Sequence, residues 1–446
     1  MSKCRALLIP VAAIGLVVLA MIAPSRSGSN LPPSRVTVTE SAYACPAGSA
    51  VTVAAGQIRP GTRTRATVSP DRTRARGLED PTIWRTSVVD GPGVLVQQRG
   101  RGSGAVGFFA GTAPKGNGGG LVVGSCPGVV DDAWLMGLGS GGKHFSTLIL
   151  TNLADSPAAV DLTLWGPKGE IDAIGSEGIV VEPSSVRRIR LDELAAGESE
   201  LAMHLVRRRG SLSAVVNDFA TGVFRGTEPA SATLSPRRVQ VVGGVAKGAA
   251  GRTLLLLNPG TVTARVDVRV IGPKNTFTPS GLDKIKVPAG STRSIVVPKS
   301  AGSGSQALRL ISDHPVSAAV RMSPGTKDYA YAEASLPLAG PAIVPIAVGP
   351  KIGVPRLVLT APGSTAKADV EAFDARMQPL TTSSVTIKGG TTTYFALDAQ
   401  DAAYFVVRPR GKVIAAATYA KGDGISSLAL SSAPVTVLGP QVRPIS

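Results

Sequence analysis

The chain has 446 residues, 43% of them apolar and 4% aromatic, with 47 Lys and Arg against 30 Asp and Glu for a formal net charge of +17. That apolar fraction can build packed cores, which excludes a wholly disordered chain, and three Cys exclude a dense disulfide scaffold or a multi-finger zinc protein. Three histidines, His144, His204 and His314, leave little material for metal or general-base chemistry.

The first element is an apolar run. Lys3 and Arg5 precede Ala6 to Pro24, which carries no charged side chain and approaches the ~20 residues needed to span a bilayer. The leading positive charges predict a cytoplasmic N-terminus with the remainder of the chain outside. Residues 1–24 therefore read as a retained signal anchor in the cytoplasmic membrane, spanning with residues 6–24. Signal cleavage followed by secretion is the alternative, for which Ala23-Pro24-Ser25 is a weak cleavage match. Residues 25–40, rich in Ser, Pro and Arg, read as a tether. Cys4 precedes the apolar run, so it is not placed as a lipoprotein acceptor. Cys45 and Cys126 remain as an external pair, and a disulfide between them would close a loop of ~80 residues, worth a few kcal/mol in an oxidising compartment.

Beyond the tether, strand-like runs alternate with Gly, Pro, Asn and Asp turns. Leu148 to Lys168 matches Leu254 to Lys274 without a gap. Asn152 falls on Asn258, Asp161 on Asp267, and Gly166-Pro167-Lys168 on Gly272-Pro273-Lys274. A looser copy begins at Leu357, and residues 41–126 resemble the back half of such a unit. The expected organisation is an Arg-rich partial β unit at 41–130 followed by β repeats at 131–238, 239–339 and 340–446, the last with a C-terminal tail. Val160, Leu162 and Leu164 alternate with Asp161 and Thr163, the pattern of a strand with one buried and one wet face. Units of about 100 residues with about seven strands suit tandem immunoglobulin-like β-sandwiches. A β-propeller is the alternative all-β reading.

The anchor, Cys45-Pro46, Cys126-Pro127, Asp132-Ala133-Trp134 before a Gly loop, and the run Leu148 to Asn152 together carry a resemblance. The chain resembles an uncharacterised group of actinobacterial cell-envelope proteins, a domain-of-unknown-function family with a signal anchor and repeated β units. The likeness covers most of residues 41–430. It implies an extracytoplasmic location and a β fold, and it implies no reaction.

Motifs for chemistry are weak. Gly137 to Lys143 has the spacing of a phosphate-cradling loop, but His144 replaces the Ser or Thr that would hold Mg²⁺ and a strand follows instead of a helix. Gly102 to Gly107 matches a dinucleotide fingerprint without the βαβ context it needs. A Gly-rich hairpin explains the first, and no cofactor or metal site is expected. The three His show no paired signature with Ser and an acid. Asp131-Asp132 and Glu79-Asp80 are adjacent acids that do not recur between copies, and Asp161, Asp267 and Asp369 sit at wet strand positions.

Basic residues are the more suggestive feature. Arg59, Arg63, Arg65, Arg72, Arg74 and Arg76 crowd one stretch, with further clusters at Arg207-Arg208-Arg209 and Arg237-Arg238. Such patches attract anionic polymers or lipid head groups. Export and the lack of interleaved aromatics argue against nucleic acid. The sequence thus points to a non-enzymatic, membrane-anchored envelope scaffold or interaction module, with another envelope protein as one partner. A binder of anionic envelope polymer or lipid, accessory to glycan assembly, is the second reading. A secreted hydrolase using Asp131 or Asp132 is the third.

Overall fold

Alternation of apolar and polar side chains sets the strands. In Ala264–Ile271, Ala264, Val266, Val268 and Val270 are buried while Arg265, Asp267 and Arg269 are exposed, the two faces of a half-buried strand. The computed structural model describes residues 35–46, 51–56, 58, 65–69, 76–77, 84–88, 93–99, 104–113, 119–222, 224–248, 251–325, 327–346, 352–397 and 400–438. The expected anchor and most of the tether lie outside these residues. Among the described residues the structure is all-β, with only two short 3₁₀ turns, and no helix is long and apolar enough to cross a membrane. Arg35–Thr37 pairs antiparallel with Thr436–Leu438, and this pair belongs to a small body of its own. The second body, Val38–Val435, is described next.

It contains four units built on one plan. Unit I runs from strand Glu40–Cys45 to Leu121–Ser125, unit II from Asp132–Leu138 to Arg225–Ala230, unit III from Arg237–Val245 to Ala330–Glu333, and unit IV from Ala342–Pro345 to Gly424–Ala429. In units I and IV one antiparallel sheet orders its strands first, sixth, third, fourth, and the other fifth, second, seventh, eighth. Units II and III keep this order when Ser140–Gly141 is counted with His144–Asn152 as the second strand of unit II, and when the two short strands pairing with the third (Gly169–Ile171 and Ile179–Val181 in unit II, Thr276–Phe277 and Ile285–Val287 in unit III) are counted together as the fourth. In unit III the sixth and seventh strands are continuous as Gln306–Ser323, which joins the two sheets. His314 lies within this long strand. The Arg-rich leading segment, expected to be a partial unit, carries the full eight-strand order. Its turns and spacing have diverged too far from the later copies for an alignment to find it.

The two sheets of a unit share a core. In unit II, Leu148, Leu150 and Val216 of one sheet meet Val160, Leu162, Leu164 and Leu205 of the other, each side chain worth about 1.5–3 kcal/mol when fully buried. The all-β class is the expected one, but the strand order is not that of an immunoglobulin constant domain, whose first two strands are neighbours in one sheet. Among the described residues no sheet closes into a barrel.

Repeated polar devices fix the turns. Asn152 Nδ2 donates to the carbonyls of Ser156, Val181 and Glu182, while its Oδ1 accepts from Ala154 N. Asn258 does the same with Val262, Val287, Pro288 and Gly260. Asp161 accepts from Gly178 N and Asp267 from Lys284 N, each at 2.7 Å, so these recurring acids pin the loop after the third strand.

The units close on one another. The eighth strands of I and II, II and III, III and IV, and IV and I are in contact, so the four form a ring with those strands innermost. A propeller blade is one sheet; here each position in the ring is a pair of sheets. After each of the first three eighth strands the chain returns to bridge the first strand of its own unit, at Tyr43 with Gly128, Trp134 with Thr233, and Val242 with Ala334. In unit I the Cys45–Cys126 disulfide ties the same two segments together.

Buried carboxylates stitch the centre. Asp328 of unit III accepts from Leu121 N of unit I and Ile425 N of unit IV at 2.9 and 2.7 Å. Glu228 of unit II accepts from Ser426 Oγ of unit IV at 2.8 Å. A Cβ at Gly120 or Gly226 would stand 2.2 or 2.5 Å from Asp328 Oδ1, so both positions need glycine for this carboxylate to enter.

Candidate functional site

The largest concentration of perturbed polar groups lies between units II and III. Ser146 and Asp218 are directly opposite in the second and seventh strands of unit II, and His144 lies two residues before Ser146 on the same face. Farther along that face are Leu148, Leu150 and Val216 of the core, so the polar trio occupies one end of the apolar layer. The hairpin Ser140–Gly141 with His144–Phe145 turns at Gly142 and Lys143, which is the Gly-rich hairpin expected there. Gly139 is required because a Cβ would meet the His144 ring at 2.3 Å.

Asp218 is fully buried and accepts from four side chains. His144 Nε2 lies at 2.9 Å, Ser146 Oγ at 2.5 Å, and the hydroxyls of Tyr329 and Tyr331 from unit III at 2.7 and 2.8 Å. His144 Nδ1 donates to the carbonyl of Ser199 at 2.7 Å. Both ring nitrogens therefore face acceptors, which selects the doubly protonated imidazole. Burial opposes that charge, but the Asp218 carboxylate outweighs it and His144 titrates above its ordinary value. Burial likewise would raise Asp218, yet the imidazolium and the hydroxyl donors hold it below the usual carboxylate range. Burial and the same carboxylate push Tyr329 and Tyr331 well up, so both remain donors.

A cleft of about 640 Å³ opens in front of this cluster, lined by Lys143, His144, Glu200, Phe224 and Arg321 among others. Arg321 Nη2 donates to Glu200 Oε1 at 2.6 Å, and the Arg321 guanidinium sits 3.8 Å from the Phe224 ring centre, a cation–π contact. Phe224 meets His144 and Tyr329 edge-on, each at 5.1 Å. Lys143 is exposed at the mouth. The cleft thus offers a free ammonium group, a partly covered guanidinium and a carboxylate to a polar ligand.

It does not assemble an acyl-transfer triad. Ser146 donates to Asp218 rather than to His144, and no imidazole nitrogen is left to accept its proton. Asp131 and Asp132 are elsewhere, paired with Arg207 and His204 respectively. Trp134 stacks on His204 at 3.8 Å and on Trp165 at 5.7 Å. The structure therefore brings together neither Asp131 nor Trp134 with His144. Asp161 and Asp369 pair with Arg208 and Arg410. Of the Arg-rich patch, Arg59, Arg63, Arg72 and Arg74 lie outside the described residues, and Arg65 and Arg76 are placed in strands without a description of their side chains. Among the described residues no group of three His, Cys, Asp or Glu is placed to hold a metal ion.

Sequence reading missed Asp218, Tyr329, Tyr331 and Arg321. The available signal was parity. In Leu212–Thr221 the buried positions Leu212, Val216 and Ala220 share their face with Asp218, a charged residue in an apolar register.

The fold and the polar seam define an all-β repeat protein, four two-sheet units closed into a ring through buried side chains. The chain belongs to a family of unknown function, DUF5719, whose model matches residues 84–398. No curated protein and no solved structure matches it.

Proposed function

We propose that the protein is a non-enzymatic extracytoplasmic component of the cell envelope, a scaffold or interaction module held at the cytoplasmic membrane by residues 1–24. The observation that carries the reading is the internal use of the His144–Asp218 pair. Asp218 takes its donors from His144 and Ser146 within unit II and from Tyr329 and Tyr331 of unit III, and the His144 ring keeps no nitrogen free to accept a proton, which is the work of a structural lock. The location is supported by the Lys3- and Arg5-flanked apolar run and by the Cys45–Cys126 disulfide, a bond that persists in oxidising compartments. The resemblance to actinobacterial envelope proteins agrees with it. Each unit is taken as a β-sandwich, immunoglobulin-like in its two layers though not in its strand order. The cleft at Lys143 and Arg321 supplies a surface for a partner.

The test is turnover of envelope glycans and chromogenic esters by the purified chain. The expected result is none above buffer. Turnover abolished by Ser146→Ala or Asp132→Asn would overturn the proposal.

A second reading is favoured by the excess of +17 and by exposed Arg209, Arg237 and Arg238. Here the module binds anionic envelope polymer or phospholipid. Retention on such polymers that falls steeply with salt is its expected signature, and the absence of salt-sensitive retention would eliminate it.

A further inference from the structure

The segments that follow the four eighth strands converge on one cavity. Pro127 to Asp132, Ala230 to Leu234, Ala334 to Ala339 and Leu428 to Ser432 all contribute to its wall, and its volume is about 790 Å³. This lies within the ~300–1,000 Å³ range of small-molecule sites. Among the described residues the wall is aliphatic, with Val129, Leu135, Val215, Leu336 and Leu430 prominent and no aromatic side chain. Val129 and Leu336 remain 47% and 53% exposed, large apolar groups left facing water on a concave surface.

Among the described residues the charged groups of the wall are Asp131 and Asp132, with no Lys or Arg. That is notable in a chain with a net charge of +17. Arg207 engages Asp131 from outside the wall, while Asp132 has His204 as its partner. An anionic head group brought here would meet like charge without a cation of the wall to receive it.

We propose that this axial cavity is a binding site for a single-chain amphiphile, an aliphatic tail in the cavity and a cationic head group beside Asp132. The absence of rings selects a flexible aliphatic chain over a planar ligand, and the acidic wall selects the sign of the head. The site is separate from the cleft at His144, and the proposal does not depend on the scaffold reading.

The test is calorimetric titration of the full chain with alkyltrimethylammonium salts of increasing chain length, and with alkyl sulfates of matched length, all below their micelle concentrations. Binding at one site per chain is expected, tightening about fourfold per added methylene until the cavity is full, with ammonium preferred over sulfate. Asp132→Asn should reduce that preference without changing the dependence on length. Leu336→Asp and Ala232→Trp alter exposed wall positions and should weaken binding at least tenfold with an unchanged melting temperature. No saturable binding, affinity independent of chain length, equal affinity for sulfate, or full binding by both wall variants would each overturn the proposal.

Discussion

Asp218 concentrates the physical logic of the molecule in one side chain. A fully buried carboxylate is costly unless its lone pairs are filled and a counter-charge is near, and here one imidazolium and three hydroxyls do both. Asp218→Ala would leave His144 buried and unpaired, and unfolding by denaturant should register a loss of about 3–5 kcal/mol. A loss below about 1 kcal/mol would mean that the lock carries little energy. The pH dependence of the pair has two limbs. Asp218 titrates below its unfolded value, so its stabilisation is present above the ordinary carboxylate range and is lost as pH falls through the folded value. His144 titrates above its unfolded value, so its share is present below the ordinary imidazole pKa and is lost as pH rises through the folded value. The two tyrosine partners could not be read from spacing, because Tyr329 and Tyr331 reach Asp218 from another unit. The Asn152 and Asn258 brackets, by contrast, were legible as matched residues since every partner lies within one repeat.

At the scale of elements, the eighth strands decide how the units meet. Their contacts are lubricated by glycine and sealed by carboxylates that water cannot reach. Burial pushes Asp328 up to about 7 and Glu333 up to about 8. Folded values above the unfolded ones mean that this contribution to stability is fully present below the ordinary carboxylate range and is lost as pH rises through about 7 to 8. The melting temperature of Asp328→Asn, followed from pH 5 to pH 9, should therefore decline less with rising pH than that of the parent protein. An equal decline in both would remove Asp328 as the cause. The Cys45–Cys126 bond acts in unit I, linking segments 81 residues apart in sequence. Cys45→Ala with Cys126→Ala should lower the stability of that unit by about 2–4 kcal/mol, measurable as earlier loss of amide protection in Glu40–Cys45 and Leu121–Ser125. Protection unchanged in both strands would contradict it. Period-two alternation made most later strands readable, and the Cys pair was readable by elimination. Unit I was not recognised as complete because it lacks the Asn bracket and the Gly-Pro-Lys turn that announced units II and III.

The molecule as a whole differs from a string of domains. Tandem sandwiches and a propeller were alternatives in the sequence, whereas Val38–Val435 combines two-sheet units with cyclic closure. Ring closure has no local signature, since unit I must find unit IV across most of the chain, and only side chains such as Asp328 record the encounter. The central claim is that four repeats form one cooperative body stitched by buried polar groups. Scanning calorimetry of the full chain tests it most directly, because cooperative unfolding requires the van't Hoff and calorimetric enthalpies to agree. A single transition for the four units is the expected result, and separate transitions that can be assigned to individual units would contradict the account.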